Sequence, residues 1–489
     1  MDASFGFLSL LPPLLAIGLA LLTRQVFLSL AAGIWLGFVI LAGGNPVAGT
    51  FDAINGIVAV FESGYNVRII IFTLVVGALI ILIQRSGGVQ GFVNRLLGWL
   101  EAKAQSAKGR GQRRRVELLA LLTGLVLFIE SNISILTVGT VYRPVFDKLG
   151  IPREKLAYIT DSSSAPSCIL VPLNAWGAFI AAQLALQNLE QPFGQLLKAT
   201  LFNFYPMLVI VILLYVILSG RDVGEMKGAE ARARSTGKLL RDGAVPMVAG
   251  EVSSTEMKTG LVPKARFMLI PIAAMVILMP SFLIMTGWEE AGGQWFKALQ
   301  SGSGSHAVLY ATSFAVILSI LMNKFSGRLG LRENFDLVMK GMAGMVPLAI
   351  LMVLAFAIGS LCNDLGTGAY VAETVKGFIS PALVPALIFL TACFVAFSTG
   401  TSWGTFAIML AIAVPLAQNM NVSVTLAIAA ALGGGVFGDH CSPISDTSII
   451  SSMASASDHI DHIRTQLPYA LVAGAITVLL YVVLGFVSL

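Results

Sequence analysis

Four carboxylates lie in stretches that otherwise suit only lipid. Glu130 ends the run LLALLTGLVLFI, Asp161 sits in YITDSSSAP, and Asp439 and Asp446 share GGGVFGDHCSPISDTSII, residues 433–450. An ionisable side chain at membrane depth is costly and marks an ion or proton path. The 433–450 stretch is the densest, joining Asp439, His440, Ser442, Ser445, Asp446, Thr447 and Ser448 in one apolar crossing. Two carboxylates with hydroxyls and freed carbonyls make an oxygen site suited to a hard cation such as Na⁺. Such carboxylates hold a proton or a metal ion, but not comfortably both, and that competition is sufficient for proton–cation exchange. His440 is open to two readings, a proton shuttle near neutral pH or a packing and hydrogen-bonding residue. Around Glu130 stand Ser131, Asn132 and Ser134, and Asn174 and Trp176 follow in VPLNAWGAF as an amide oxygen and a cavity wall, or as packing.

These groups need a membrane scaffold, and the composition supplies one. Of 489 residues, 56% are hydrophobic and only 12% charged, half the share usual in soluble domains. Mean hydropathy is +0.84. A soluble enzyme, a disordered chain and a secreted disulfide scaffold are thereby excluded. The net charge of +5 reflects basic loops between spans, so no nucleic-acid partner is expected. Cys168, Cys362, Cys393 and Cys441 lie in or beside apolar segments and read as packing residues. The first residues run directly into a second apolar stretch and read as a first span, not a cleavable signal.

Apolar segments fall near 8–23, 26–42, 67–84, 118–142, 156–187, 199–219, 267–287, 307–323, 341–362, 382–417, 423–457 and 467–488. The loops 101–117, 143–155, 220–266 and 324–340 carry six, four, nine and four Lys/Arg; loops 43–66 and 188–197 carry none. The basic set is expected in the cytoplasm. Both flanks of 118–142 are basic, yet two full spans would need roughly 40 residues. A re-entrant hairpin resolves the conflict. The stretch 382–417 poses the mirror case, with the polar turn Ser398-Thr399-Gly400-Thr401-Ser402 at its middle. Irregular backbone at that depth requires protein or a water-filled cavity around it.

The fold class read from this is an all-α polytopic membrane protein with inverted repeats, each holding a re-entrant hairpin and a discontinuous transmembrane helix. An extra span covers 1–25. The first repeat runs over 26–219 (hairpin about 118–142, broken span about 156–187). A cytoplasmic linker and linking span cover 220–306, and the second repeat 307–489 (hairpin about 382–417, broken span about 423–457). Asp161, Ser164 and Pro166 echo Asp439, Ser442 and Pro443, which suggests a break at each proline. The 220–266 stretch, rich in Gly, Ala and Ser, reads as a flexible linker without a site. Asp458-His459-Ile460-Asp461-His462 has a metal-like look, but a short i, i+3 pair is weak evidence for zinc; an interfacial cap or pH-responsive surface fits better. No G-x-S-x-G, H-E-x-x-H or Walker A sequence is present. No enzyme is expected.

The C-terminal GDHCSPISDTSIISS with DHIDHIRTQLPYAL resembles the signature of the NhaC family of sodium–proton antiporters. LTVGTVYRPVFDKLGIPREKLAYITDSSSAPSCILVPLNAWGAF is similar to that family's first-half signature, and PPLLAIGLALLTRQVFLSLAAGIWLG, ALIILIQRSGG and FSTGTSWGTFAIMLAIAVPLA also fit. The resemblance implies cation–proton antiport, with some members exchanging organic anions such as malate for lactate. The matching acids are Asp161, Asp439 and Asp446. One departure stands out: where many members have an F-I-D-D-Y-like stretch, this chain has Phe128-Ile129-Glu130-Ser131-Asn132. Losing a carboxylate lowers the negative charge and leaves room for an organic substrate.

The resulting expectation is a Na⁺/H⁺ antiporter of a bacterial inner membrane, working by alternating access. Glu130, Asp161, Asp439 and Asp446 would carry cation or proton, with Na⁺ at Asp439 and Asp446. Ser164, Asn174, Thr399, Thr401, Ser402, Ser442 and Thr447 would supply neutral oxygens. Partners are the bilayer, Na⁺ and H⁺, with a homodimer as one possibility; no cofactor is expected beyond the transported ions. The alternative is a sodium- or proton-coupled transporter of a small carboxylate or amino acid, and a passive channel is a third reading.

Overall fold

A computed structural model describes residues 5–487, except 24, 93, 96, 97, 99–109, 129, 247–256, 290, 296, 299–301, 376–378 and 444. The elements that matter are helices. The first group is α1 Leu11–Thr23, α2 Val26–Leu41, α3 Pro46–Ala59, α4 Gly64–Arg85, α5 Arg110–Val126, α6 Ser131–Lys148 and α7 Arg153–Leu170. Then come α8 Ala175–Leu186, α9 Pro192–Thr200, α10 Phe204–Ser219, α11 Gly224–Thr236, α12 Arg266–Gly287, α13 Gly304–Phe325 and α14 Leu331–Gly344. The chain continues through α15 Val346–Asp364, α16 Thr367–Val375, α17 Val384–Thr399, α18 Ser402–Asn419, α19 Val424–Cys441, α20 Asp446–Ser455 and α21 His459–Val487. Among the described residues eight helices are long and apolar enough to cross a membrane, and α7 with α8 forms a ninth, bent by 44°. The protein is therefore a multi-pass membrane protein.

Two helix–turn–helix pairs cover the stretches expected as hairpins. Arm α5 ends at Val126 and arm α6 begins at Ser131, and arms α17 and α18 meet at Gly400 and Thr401. Gly400 is left-handed (φ 68°), and its N–H reaches back to the carbonyl of Ala396, ending α17 as a glycine cap does. Two helices are broken. In the second, Ser442–Ser445 separates α19 from α20. In the first, the expected break at Pro166 is absent: Pro166 lies inside α7, and the chain opens at Val171–Asn174. The two breaks then align residue for residue. Pro172 matches Pro443, and Asn174 matches Ser445, each the N-cap of the following half-helix. In this register Asp439 corresponds to Cys168, not to Asp161.

The packing repeats with the same symmetry. α7 lies against both arms of the first hairpin, α19 against both arms of the second. Each short half-helix crosses over: α8 packs on α18, and α20 on α6. The closing helices cross as well, α10 touching α7 and α19, and α21 touching α19 and α7. The two halves are thus interleaved. α19 approaches α17 closely through Gly434 and Gly438, where an added Cβ would come within 2.4 Å of the Phe389 oxygen and 2.3 Å of the Phe397 nitrogen. Small residues four apart allow such contact between membrane helices.

Three expected loops contain helices. α3 lies within the loop 43–66, capped by the Asn45 side chain, and α16 within the loop 363–381. α11 corrects the reading of 220–266 as a flexible linker: it buries Met226, Glu230 and Ala233. Glu230 pairs with Arg113 at 2.8 Å, Glu154 pairs with Arg232 at 2.8 Å, and Lys155 pairs with Asp222. Its polar residues are spent on fastening the basic ends of α5 and α7.

Candidate functional site

The loop residues of the second break and the tip of the second hairpin converge on Asp439. This carboxylate, 2% exposed, ends α19. One oxygen accepts from Ser402 Oγ at 2.6 Å and the other from Ser445 Oγ at 2.5 Å. Ser402 opens α18, and Ser445 caps α20 by accepting from the Ser448 N–H. Thr447 Oγ1 stands 3.0 Å from Ser445 Oγ, and Ser442 Oγ donates to the Phe397 carbonyl at 2.6 Å. The carboxylate is thereby tied to two helix N-termini, where partial positive charge favours an anion.

Asp446 is placed differently. It opens α20, accepts from the Thr447 N–H at 3.0 Å, and is solvent-exposed. Pro443 is exposed as well, and its carbonyl lies 2.7 Å from His459 Nε2. The second break is therefore open at the protein surface. It lies on the basic-loop side, because Asp458 accepts from the Val245 N–H and Asp461 pairs with Arg241 at 3.1 Å.

Asp161 belongs to the same region across the repeat boundary. It is 0% exposed. Its Oδ2 accepts from Ser448 Oγ at 2.9 Å and Gln466 Nε2 at 2.8 Å, and lies 3.3 Å from His462 Nε2. Four helices meet there: α7, α19, α20 and α21. Gln466 Nε2, which donates to Asp161, also donates to the His440 carbonyl, one residue beyond Asp439. His440 turns away from Asp439, its ring nitrogens 2.8 Å from the Tyr205 hydroxyl and 3.0 Å from Ser162 Oγ.

The remaining expected residues fall into separate roles. Glu130 precedes α6 as Thr401 precedes α18, and it lines a mainly apolar crevice with Leu79, Ile83, Leu127, Met268 and Ile272. Asn174 uses its amide for architecture: Nδ2 donates to the carbonyls of Phe128, Cys168 and Val171, and Oδ1 accepts from the Gly177 N–H. Ser164 Oγ donates to the Asp161 carbonyl and Thr399 Oγ1 to the Val395 carbonyl, while the Thr401 carbonyl accepts from Thr405. Trp176 forms a wall with Trp403 and Phe406, ring centroids 5.5 and 5.8 Å away.

The 458–462 run shows no group of three metal-ligating side chains among the described residues. Asp458 caps the start of α21 through the N–H groups of Ile460 and Asp461. His462, expected at the surface, is fully buried against Asp161. Sequence reasoning missed this role, and those of Gln466 and Tyr205. The available signal was Gln466, one turn beyond His462 and the last of the polar residues that open α21 before its apolar run.

Inverted repeats, paired hairpins and two broken helices around buried carboxylates define a secondary transporter. A solved structure of the same fold is Neisseria gonorrhoeae MtrF, titled as illuminating a class of antimetabolite efflux pumps; at 14% identity and a TM-score of 0.53 it covers 89% of this chain and 84% of its own. The family model described as the Na⁺/H⁺ antiporter family matches residues 186–486. An uncharacterized protein of Haemophilus influenzae is 33% identical over 99% of this chain and 92% of its own length. The malate-2H⁺/Na⁺-lactate antiporter of Bacillus subtilis is 31% identical over 22% of this chain and 23% of its own. The chain belongs to the Na⁺/H⁺ antiporter family.

Proposed function

We propose that the protein exchanges cytoplasmic Na⁺ for external H⁺ across a bacterial inner membrane, by alternating access. The observation that carries this reading is the Asp439–Ser402–Ser445 cluster, with Asp446 beside it at the exposed second break. A desolvated Na⁺ needs several oxygen ligands with net negative charge. Asp439 and Asp446 supply the charge, and the hydroxyls of Ser402, Ser445 and Thr447 can turn their lone pairs toward the ion. Movement of the hairpin and half-helix units against the rest would carry the cluster between the two sides, with no covalent intermediate and no cofactor.

A second reading draws on the malate/lactate relative and on Glu130-Ser131, where a second acid is common: a small carboxylate moves together with the ions. Vesicles holding the purified protein under an imposed pH gradient separate the two. Collapse of the gradient by Na⁺ alone supports exchange of inorganic ions. Collapse requiring malate, lactate or another organic acid supports the second reading. Conductance without proton movement supports a channel and refutes both.

A further inference from the structure

His462 carries no assignment in the exchange site, yet its buried imidazole faces a buried carboxylate, 3.3 Å from Asp161 Oδ2 with both side chains 0% exposed. We propose that His462 and Asp161 together hold the transported proton, at a place separate from the Asp439–Asp446 cation site, and that the two sites are coupled through charge and not through shared ligands. This rests on the exchange reading above and adds the location of its proton.

The geometry supports the division. Asp161 is tied to three donors from two helices, Ser448 of α20 and His462 and Gln466 of α21. His462 Nε2 faces the carboxylate, so in the neutral ring Nε2 carries the hydrogen and Nδ1 is the base. His462 Nδ1 has no hydrogen-bond partner, nor has Asp161 Oδ1. A buried nitrogen lone pair without a partner is a place where a proton can be received. Uptake of one H⁺ at Nδ1 converts imidazole and carboxylate, net charge −1, into imidazolium and carboxylate, net charge zero; release reverses it. No other bond changes. His462 lies one helical turn inside Asp458 and His459, at the basic-loop edge, which sets a short path for the proton.

The link to the cation runs through Gln466. Its Nε2 also donates to the His440 carbonyl at 2.5 Å, one residue beyond Asp439. Around the pair stand His440 from α19, Asp439 and Asp446 at the break, Tyr158 of α7 stacked on Tyr469 of α21 at 4.7 Å, and Tyr205 of α10. Arg241 is held by Asp461 on the far side of α21's first turn. Asp161 and Asp439 therefore share one buried region, with Asp446 at its exposed edge. Neutralising the Asp161–His462 pair lowers the field that holds Na⁺ at Asp439, and Na⁺ arriving there favours loss of the proton. Linkage requires the two effects to be equal.

The test uses the full chain in detergent and in vesicles. The sequence has four histidines, so ¹⁵N-histidine labelling gives a spectrum small enough to assign. Adding NaCl at fixed pH should convert one buried histidine from imidazolium to neutral, and that signal should vanish in His462→Gln. The variant keeps an N–H donor for Asp161 but cannot take up the proton. Apparent Na⁺ affinity should change about tenfold per pH unit in the wild type, as expected for one proton per cation, and should flatten to about twofold or less in His462→Gln. An Na⁺-independent histidine spectrum, or an undiminished pH response in His462→Gln, overturns the proposal, and the wild-type spectrum decides it even where the variant does not fold. Wild-type protein that neither binds Na⁺ nor exchanges it refutes the exchange reading and this proposal with it. Exchange with an unmoved His462 signal refutes this proposal alone.

Discussion

Replacing Asp439 by Asn removes one unit of charge while nearly preserving shape. The carboxylate accepts from Ser402 at 2.6 Å and Ser445 at 2.5 Å. The amide oxygen of Asn can keep one of these bonds. Its NH₂ must donate to the other hydroxyl, which can rotate to accept. Ser445 retains its bond from the Ser448 N–H, so the cap of α20 survives. Folding should therefore be little altered, and charged-to-neutral hydrogen bonds should account for a loss of about 1–2 kcal/mol at most. The loss for a bound cation is larger. Unit charges about 4 Å apart gain about 4 kcal/mol at an effective dielectric of 20, so Asn should weaken Na⁺ binding on the order of 10²–10³-fold. The assay is Na⁺-driven collapse of a pH gradient in vesicles, alongside ²²Na⁺ binding and a melting curve in detergent. Exchange within about twofold of wild type, from protein with unchanged melting, would falsify the placement of the cation.

The exposure of the second break can be checked with thiols, since all four native cysteines are buried. Asp446→Cys should react with a membrane-impermeant reagent offered from the basic-loop side, and Asp161→Cys should not; equal labelling would contradict that exposure. Lys155 and Asp222 form a pair whose side chains are 2% and 5% exposed, with the Tyr469 hydroxyl also on Asp222. Lys155→Met leaves that charge buried and should destabilise by about 3–5 kcal/mol, read as a lower denaturation midpoint, whereas the double change with Asp222→Leu should recover most of it. Gly438→Val forces atoms into the α17 backbone and should cost about 1–3 kcal/mol; an unchanged melting temperature would show that the α17–α19 contact is loose.

The chain's residues by themselves fix what depends on short stretches. Apolar run lengths set the spans, and basic loops set which segments must turn back, because the cost of leaving a backbone group or a charge in lipid is paid locally. Glycine and serine at Thr399–Ser402 likewise mark the second hairpin tip. The position of the first break was different. Pro166 and Pro172 are both helix breakers in isolation, and the Asn174 amide decides between them by reaching carbonyls at Phe128, Cys168 and Val171. α11 reads as linker for a similar reason: its polar residues look solvent-bound until Arg113, Glu154 and Lys155 are brought to it. The site itself was half legible. Asp439, Asp446 and the serines between them are neighbours along the chain, so their density points to a site. Asp161 and His462 are 301 residues apart, and nothing local distinguishes a histidine that caps a helix from one that faces a buried acid. Only the crossing of α21 over α7 brings them together, since hydrogen bonds and charge act over a few ångströms of space without regard to distance along the chain.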